Sequence, residues 1–318
     1  MNLYVNQIKQ VFNDTIRTSL IIFKIMIPIS IIVKILELTG MIDHIGSFLS
    51  PFMQILGLPG ETGLVWATAM ITNIYGGIIV YISLASEQIL TVAQVTILCS
   101  MILIAHSLPV EVTIARKAGI RIWFTLILRI LSACLFGFIL NAIFSYFKIL
   151  QNPSTMTWSK TPTNATIPDW ILSQISNYIF IFIIIFSLLF IMKILKNIGV
   201  INKLNQFMEP GLEFLGMSKK AAPLTIIGTT LGISYGGGII IDEAQSGKLT
   251  KKDAFLSVSL MGLSHSLIED TILMMTLGAS LIGILLGRVL FSFIAMIILI
   301  NIIKRISEKT FQRYLSLK

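Results

Sequence analysis

Apolar residues run through this chain in blocks too long and too uniform to be one face of a soluble protein. Residues 171–192, 93–115, 122–147, 254–277 and 281–303 each approach the roughly 20 apolar residues that cross a bilayer as a helix. A further helix is expected over about 15–38. The segment before it, "MNLYVNQIKQVFNDTIRTSL", has the amphipathic pattern of a helix lying in the membrane interface. Two other apolar stretches, 61–86 and 221–246, are interrupted near their middles by "TNIYGG" and "TTLGISYGGG". Glycine lets the chain bend there. A bent backbone at membrane depth is tolerated only where protein or a watery cavity satisfies its polar groups. Both stretches are therefore predicted to be re-entrant helical hairpins.

The polar positions inside these blocks recur. "IAHSLPVE" (104–111) and "LSHSLIED" (263–270) hold two of the three histidines, and His106 and His265 are 159 residues apart. The same shift lays Gly40 on Gly199, Pro51 on Pro210, Gly57 on Gly216, Gly119 on Gly278 and Arg129 on Arg288. Ser107 and Leu108 fall on Ser266 and Leu267, and a slip of one residue brings "IYGG" onto "SYGG". Such agreement marks an internal duplication. The first unit spans 1–147, a polar linker rich in Pro, Thr and Asn covers 148–170, and the second unit spans 171–318.

Charge then orients the two units. The net charge of +9 does not point to nucleic acid, because Lys and Arg gather at the ends of apolar runs, as in cytoplasmic loops. "RKAGIR" (116–121) is strongly basic, whereas its counterpart "MTLGAS" (275–280) has no charge. Lys248, Lys251 and Lys252 precede the second histidine segment, where the first unit offers only Glu87. The C-terminal "KRISEKTFQRYLSLK" is basic, and the linker after the first unit is not. The copies are accordingly expected to be inverted, with both termini cytoplasmic and 148–170 external. At 55% hydrophobic and 12% charged residues, a soluble globular domain is excluded. The expected fold is an all-α integral membrane protein with an inverted internal repeat. Each copy would carry about three spanning helices plus a re-entrant hairpin, in the cytoplasmic membrane of a prokaryote.

Ionisable residues inside a membrane are costly and usually face a partner or a cavity. Glu269 follows His265 by four residues, which would put both on one helix face. Glu111 follows His106 by five, aligns with Asp270, and has Pro109 between to kink the helix. The candidate solute-binding residues are Asn73, Tyr75, His106, Ser107 and Glu111 in the first unit. Those of the second are Ser234, Tyr235, His265, Ser266, Glu269 and Asp270. The plainer reading is that each His and acid form a buried clamp between the copies. Arg129 and Arg288 are read first as charge-pairing or carbonyl-capping residues, with contact to an anionic solute as the alternative. Cys99, seven residues before His106, makes a Cys–His–carboxylate metal site conceivable. The second unit has Val258 there, and a buried free cysteine ordinarily packs as a small hydrophobe. Neither a metal nor a cofactor is expected, nor a disulfide between Cys99 and Cys134. "GLPGETG" lacks the Lys and Ser/Thr of a phosphate-binding loop, and no nucleophile–base pattern is visible, so neither an ATP-driven pump nor an enzyme is expected.

"GETGLVWATAMITNIYGG", "AHSLPVE" and "RKAG" in the first unit, with "TIIGTTLGISYGGG" and "SHSLIEDT" in the second, resemble the Gate, or nucleoside-recognition, domain of bacterial and archaeal membrane proteins. The resemblance covers most of the chain outside the linker and the ends. It implies kinship with the membrane core of ferrous-iron permeases and with part of the concentrative nucleoside carriers, and therefore transport. The GTP-binding domain attached to the iron permeases has no counterpart in this sequence. The expected function is secondary transport of a small polar or ionic solute, nucleoside-like or an organic anion, through a midplane site. Coupling to protons is open, because histidine and carboxylates titrate near neutrality. The alternatives are a divalent-cation permease using His106, His265, Glu269 and Cys99, and a non-transporting membrane scaffold. The expected partners are the bilayer and the solute, with a homo-oligomer left open and no nucleic acid.

Overall fold

The computed structural model describes residues 2–85, 89–158 and 166–316, with side chains given except at 2–7, 202, 205, 231 and 233–235. The described residues form helices and no strand longer than an isolated bridge. The first series is α1 (Asn2–Leu38), α2 (Met41–Ile55), α3 (Thr62–Ile71), α4 (Ile74–Leu84), α5 (Val92–Ile104), α6 (Leu108–Lys117) and α7 (Ile122–Phe147). The second is α8 (Ile167–Asn197), α9 (Val200–Phe214), α10 (Ala221–Leu231), α11 (Ile233–Gln245), α12 (Lys251–Leu263), α13 (Glu269–Met275) and α14 (Ile282–Arg305), with α15 (Glu308–Tyr314) after it. A π-helical turn over Ile282–Gly287 opens α14.

The duplication reaches the backbone. Under the 159-residue shift, α2 coincides with α9 and α5 with α12, residue for residue. Left-handed φ values recur at Gly119 and Gly278 (88° and 93°) and, against steric preference, at Ser107 and Ser266 (49° and 47°).

Among the described residues, five segments are long and apolar enough to cross a membrane: Ile8–Leu38, Val92–Lys117, Ile122–Phe147, Ile167–Asn197 and Ile282–Arg305. Their outer faces stay apolar, as lipid requires; Leu20, Leu131, Leu172 and Leu290 are all exposed. Polar side chains point inward instead, among them Ser19, Ser132, Asn177 and Ser292. At the centre lie α5 and α12, each with eleven of thirteen residues buried. Helix α7 packs on both, and α14 packs on α12. The chain is thus an all-helical, multi-pass membrane protein.

Helices α3 and α4 have 10 and 11 residues and rise only about 15 Å each, half the roughly 30 Å hydrocarbon core. They pack against each other, as do α10 and α11. The interruptions fall at Thr72–Asn73 and at Gly232, where φ is 100°.

Three expectations need correction. The N-terminal amphipathic stretch is no separate element, because α1 runs unbroken from Asn2 to Leu38. The distinct amphipathic helices are α2 and α9, where Phe48 and Phe207 are each 83% exposed. Nor are 93–115 and 254–277 single helices. The first breaks after Ile104 and resumes at Leu108, and the second breaks after Leu263 and resumes at Glu269. The cause is tertiary: the Ser107 amide donates to the Ala69 carbonyl of α3 (2.9 Å), and the Leu267 amide donates to Thr229 of α10 (3.0 Å). Pro109 therefore kinks nothing; it sits in the first turn of α6, where its missing amide costs no bond.

Contacts also sort the loops. Arg116, Lys117 and Gly119 share a cleft of about 360 Å³ with Gln245, Lys251 and Ser316, and the Arg121 amide donates to Leu315 (3.0 Å). Elsewhere Thr91 bridges Pro153, and Thr157 and Trp158 both hydrogen-bond to Thr276. Glu87 and residues 159–165 of the linker lie outside the described residues.

Candidate functional site

The two helix breaks carry the two histidines. Each imidazole folds back on its own helix, with His106 Nδ1 2.8 Å from the Ile102 carbonyl and His265 Nδ1 2.8 Å from that of Met261. A carbonyl can only accept, so Nδ1–H donates, and in the neutral ring Nε2 is left as an acceptor. Those two Nε2 atoms face each other at 3.3 Å. The ring centroids are 5.0 Å apart and the planes 48° inclined, so the rings meet by their Nε2 edges and do not stack. Both residues are buried.

Glu111, in the first turn of α6 and 2% exposed, completes the group. Its Oε1 lies 3.7 Å from His106 Nε2 and 3.6 Å from His265 Nε2. Its Oε2 is ion-paired with the Arg129 guanidinium of α7. Arg129 Nε also donates to the Ile104 carbonyl (2.8 Å), one of the acceptors that the break in the helix leaves free. Asp270, in the first turn of α13, is buried, and a carboxylate oxygen lies within 4.8 Å of both histidine ligand atoms. Arg288 of α14 is fully buried, and no nitrogen of its guanidinium has a hydrogen-bond partner among the described residues. Asp270 lies within its electrostatic reach.

The remaining candidates are spread around this centre. Tyr75 on α4 is buried within electrostatic range of Glu269 and Asp270. Asn73 caps α4, its Oδ1 accepting the Gly76 amide at 2.9 Å, so part of its polarity is spent locally. Ser107 and Ser266 are half-buried at the breaks. The side chains of Ser234 and Tyr235 lie outside the described residues. His265 and Glu269 do not share a helix face, since the chain leaves the helix between them; the acid that meets both histidines is Glu111. Cys99, buried on α5, lies within electrostatic reach of Tyr81 and is no part of the histidine group among the described residues. Sequence reasoning missed the carbonyls of Ile102 and Met261, which set the imidazole orientation. Their place four residues before each histidine was the available signal.

Residues 19–121 match the Gate family, described as nucleoside recognition, which bears out the resemblance over that part of the chain. The chain is also similar to the uncharacterized membrane protein YvoD of Bacillus subtilis (strain 168), with 27% identity over 274 residues, 84% of this chain and 85% of that protein. No solved structure is significantly similar.

Proposed function

We propose, from the Gate match and the geometry of the site, that the chain is a secondary transporter whose solute passes between the two histidine breaks. One observation carries this: His106 and His265, one from each unit and each on a broken helix, meet at 3.3 Å inside an apolar interior. Broken helices that bring polar groups together between repeats are where transporters of duplicated architecture bind their cargo.

The loop contacts support reading the copies as inverted. The end of α6 shares a cleft with the start of α12, while the start of α5 meets the linker, which also touches the end of α13. In this reading α3–α4 and α10–α11 are re-entrant hairpins. The basic end, with Arg116, Lys117 and Lys251, is cytoplasmic together with both termini, in a prokaryotic inner membrane. The solute is small and polar or ionic. The guanidinium of Arg288, which has no hydrogen-bond partner among the described residues, favours one that carries an anionic group. Proton coupling through the histidines and carboxylates belongs to the same reading.

The test is a thermal-stability screen of the purified protein against nucleosides, dipeptides and organic anions, because a ligand that binds only the folded state raises its apparent stability. A stabilising compound should lose its effect in folded His106→Ala and His265→Ala proteins. An unchanged response in both would reject the site. If both variants simply unfold at lower temperature and lose all activity with it, the contact is a clamp and the chain a scaffold.

A further inference from the structure

His106 Nε2, His265 Nε2 and Glu111 Oε1 form a triangle with sides of 3.3, 3.7 and 3.6 Å. With both Nδ1 atoms donating to carbonyls, all three corners are acceptors and none is a donor. Three acceptors held together repel unless something positive lies among them. A proton shared along an edge would draw that edge into the hydrogen-bond range of about 2.7–3.2 Å. The His106–His265 edge, at 3.3 Å, is at most one long hydrogen bond, and both edges to Glu111 are longer still. The point equidistant from the three atoms, however, lies about 2.0 Å from each. That is close to the ~2.0–2.1 Å of a zinc–nitrogen bond and the ~2.0–2.2 Å of a zinc–carboxylate bond.

We propose that His106, His265 and Glu111 bind one divalent transition-metal cation of the borderline class, such as Zn²⁺, Fe²⁺ or Co²⁺, at the junction of the two units. Asp270 is the available fourth ligand. Two imidazoles and a carboxylate suit such a cation, whereas Mg²⁺ and Ca²⁺ take oxygen. The outer contacts also fit. Each imidazole is oriented by a carbonyl on its far nitrogen, and Arg129 holds the other oxygen of Glu111. Arg129 and Arg288 both lie within electrostatic reach of the histidines and oppose a cation, but Glu111 offsets the first and Asp270 the second. The divalent-cation alternative read from the sequence used Glu269 and Cys99 beside the two histidines; the structure puts Glu111 there instead. The site does not depend on transport, since the cation fits equally as cargo or as a clasp.

The experiment titrates metal-stripped, detergent-purified full chain with Co²⁺ and follows its visible absorption, with Zn²⁺ as competitor and Mg²⁺ as control. One Co²⁺ per chain should bind, be displaced by Zn²⁺ and ignore excess Mg²⁺. Affinity should fall by about 100-fold or more in His106→Gln and His265→Gln. It should be unchanged in His44→Gln, the exposed third histidine on α2. X-ray absorption of the Zn²⁺-loaded wild type needs no variant and should show two imidazoles at about 2.0 Å. No binding by folded wild type, equal binding in all three variants, or a shell without imidazole would overturn the proposal. Metal binding without any response to nucleosides, dipeptides or organic anions removes the proposed solute and leaves this site; a histidine-dependent solute response in a chain that binds no metal does the reverse.

Discussion

Arg129 and Arg288 occupy equivalent positions and are both fully buried, yet Arg129 is ion-paired with Glu111 while Arg288 meets no hydrogen-bond partner among the described residues. Their acids are equivalent too, but Asp270 is one methylene shorter than Glu111. The second unit has kept the charges and lost the contact.

That asymmetry predicts unequal costs. Arg129→Met strands an ion-paired buried carboxylate and should cost about 3–5 kcal/mol, whereas Arg288→Met removes a guanidinium with no hydrogen bond among the described residues, and only its longer-range attraction to Asp270, so it should cost less. Denaturant or thermal unfolding in detergent measures both. Equal losses would mean that Arg288 has a partner of comparable strength.

Close helix approach gives a second prediction. A Cβ on Gly236 would lie 2.2 Å from the Gly228 Cα, pushing α11 off the backbone of α10. Gly77, which sits over Ala69 as Gly236 sits over Gly228, would meet the Ala69 side chain at 2.8 Å and backbone atoms no nearer than 3.3 Å. Gly236→Ala should therefore cost about 1–3 kcal/mol, and more than Gly77→Ala. Gly238→Ala, with nothing within 4 Å of the new methyl, should be neutral or slightly stabilising. The order of melting temperatures decides.

Topology is testable with single cysteines in a chain lacking Cys99 and Cys134. A membrane-impermeant thiol reagent applied from outside should label Thr155→Cys and spare Lys117→Cys and Lys252→Cys. The converse pattern would reverse the orientation; labelling of Lys252→Cys together with Thr155→Cys would undo the inverted arrangement.

Asn73 separates capping from binding. Asn73→Ala should lose about 1 kcal/mol as a missing N-cap, and Asn73→Asp should keep most of it. If Asn73 touches solute, the alanine variant also loses ligand-induced stabilisation at temperatures where it is fully folded. A retained response would assign the residue to the helix end alone.

The residues that meet at the centre were legible in the sequence because polar side chains in apolar blocks are conspicuous, and a repeat of His with an acid is more so. The breaks were not. "ILIAHSLPV" contains no glycine, and its one proline follows the break instead of causing it. What opens the helix is a carbonyl on α3, donated to by Ser107 from across the fold, and no local pattern announces that bond. The expected shared face of His265 and Glu269 fails for the same reason, since helical spacing holds only where the helix continues. Helices α2 and α9 fall outside the long apolar blocks, and each contains a proline, Pro51 or Pro210, that a local reading does not favour inside a helix.

The bonds from Ser107 to Ala69 and from Leu267 to Thr229 also act as gearing. Each fastens the strand of chain beside a histidine to a short helix, one to α3 and the other to α10. A tilt of either short helix drags its adjoining imidazole, and the 3.3 Å contact hands that displacement to the opposite unit. On the transport reading proposed above, opening of one half would then be felt by the other. A protein that exposes one centre to two compartments in turn needs such an interlock, because simultaneous opening is a leak.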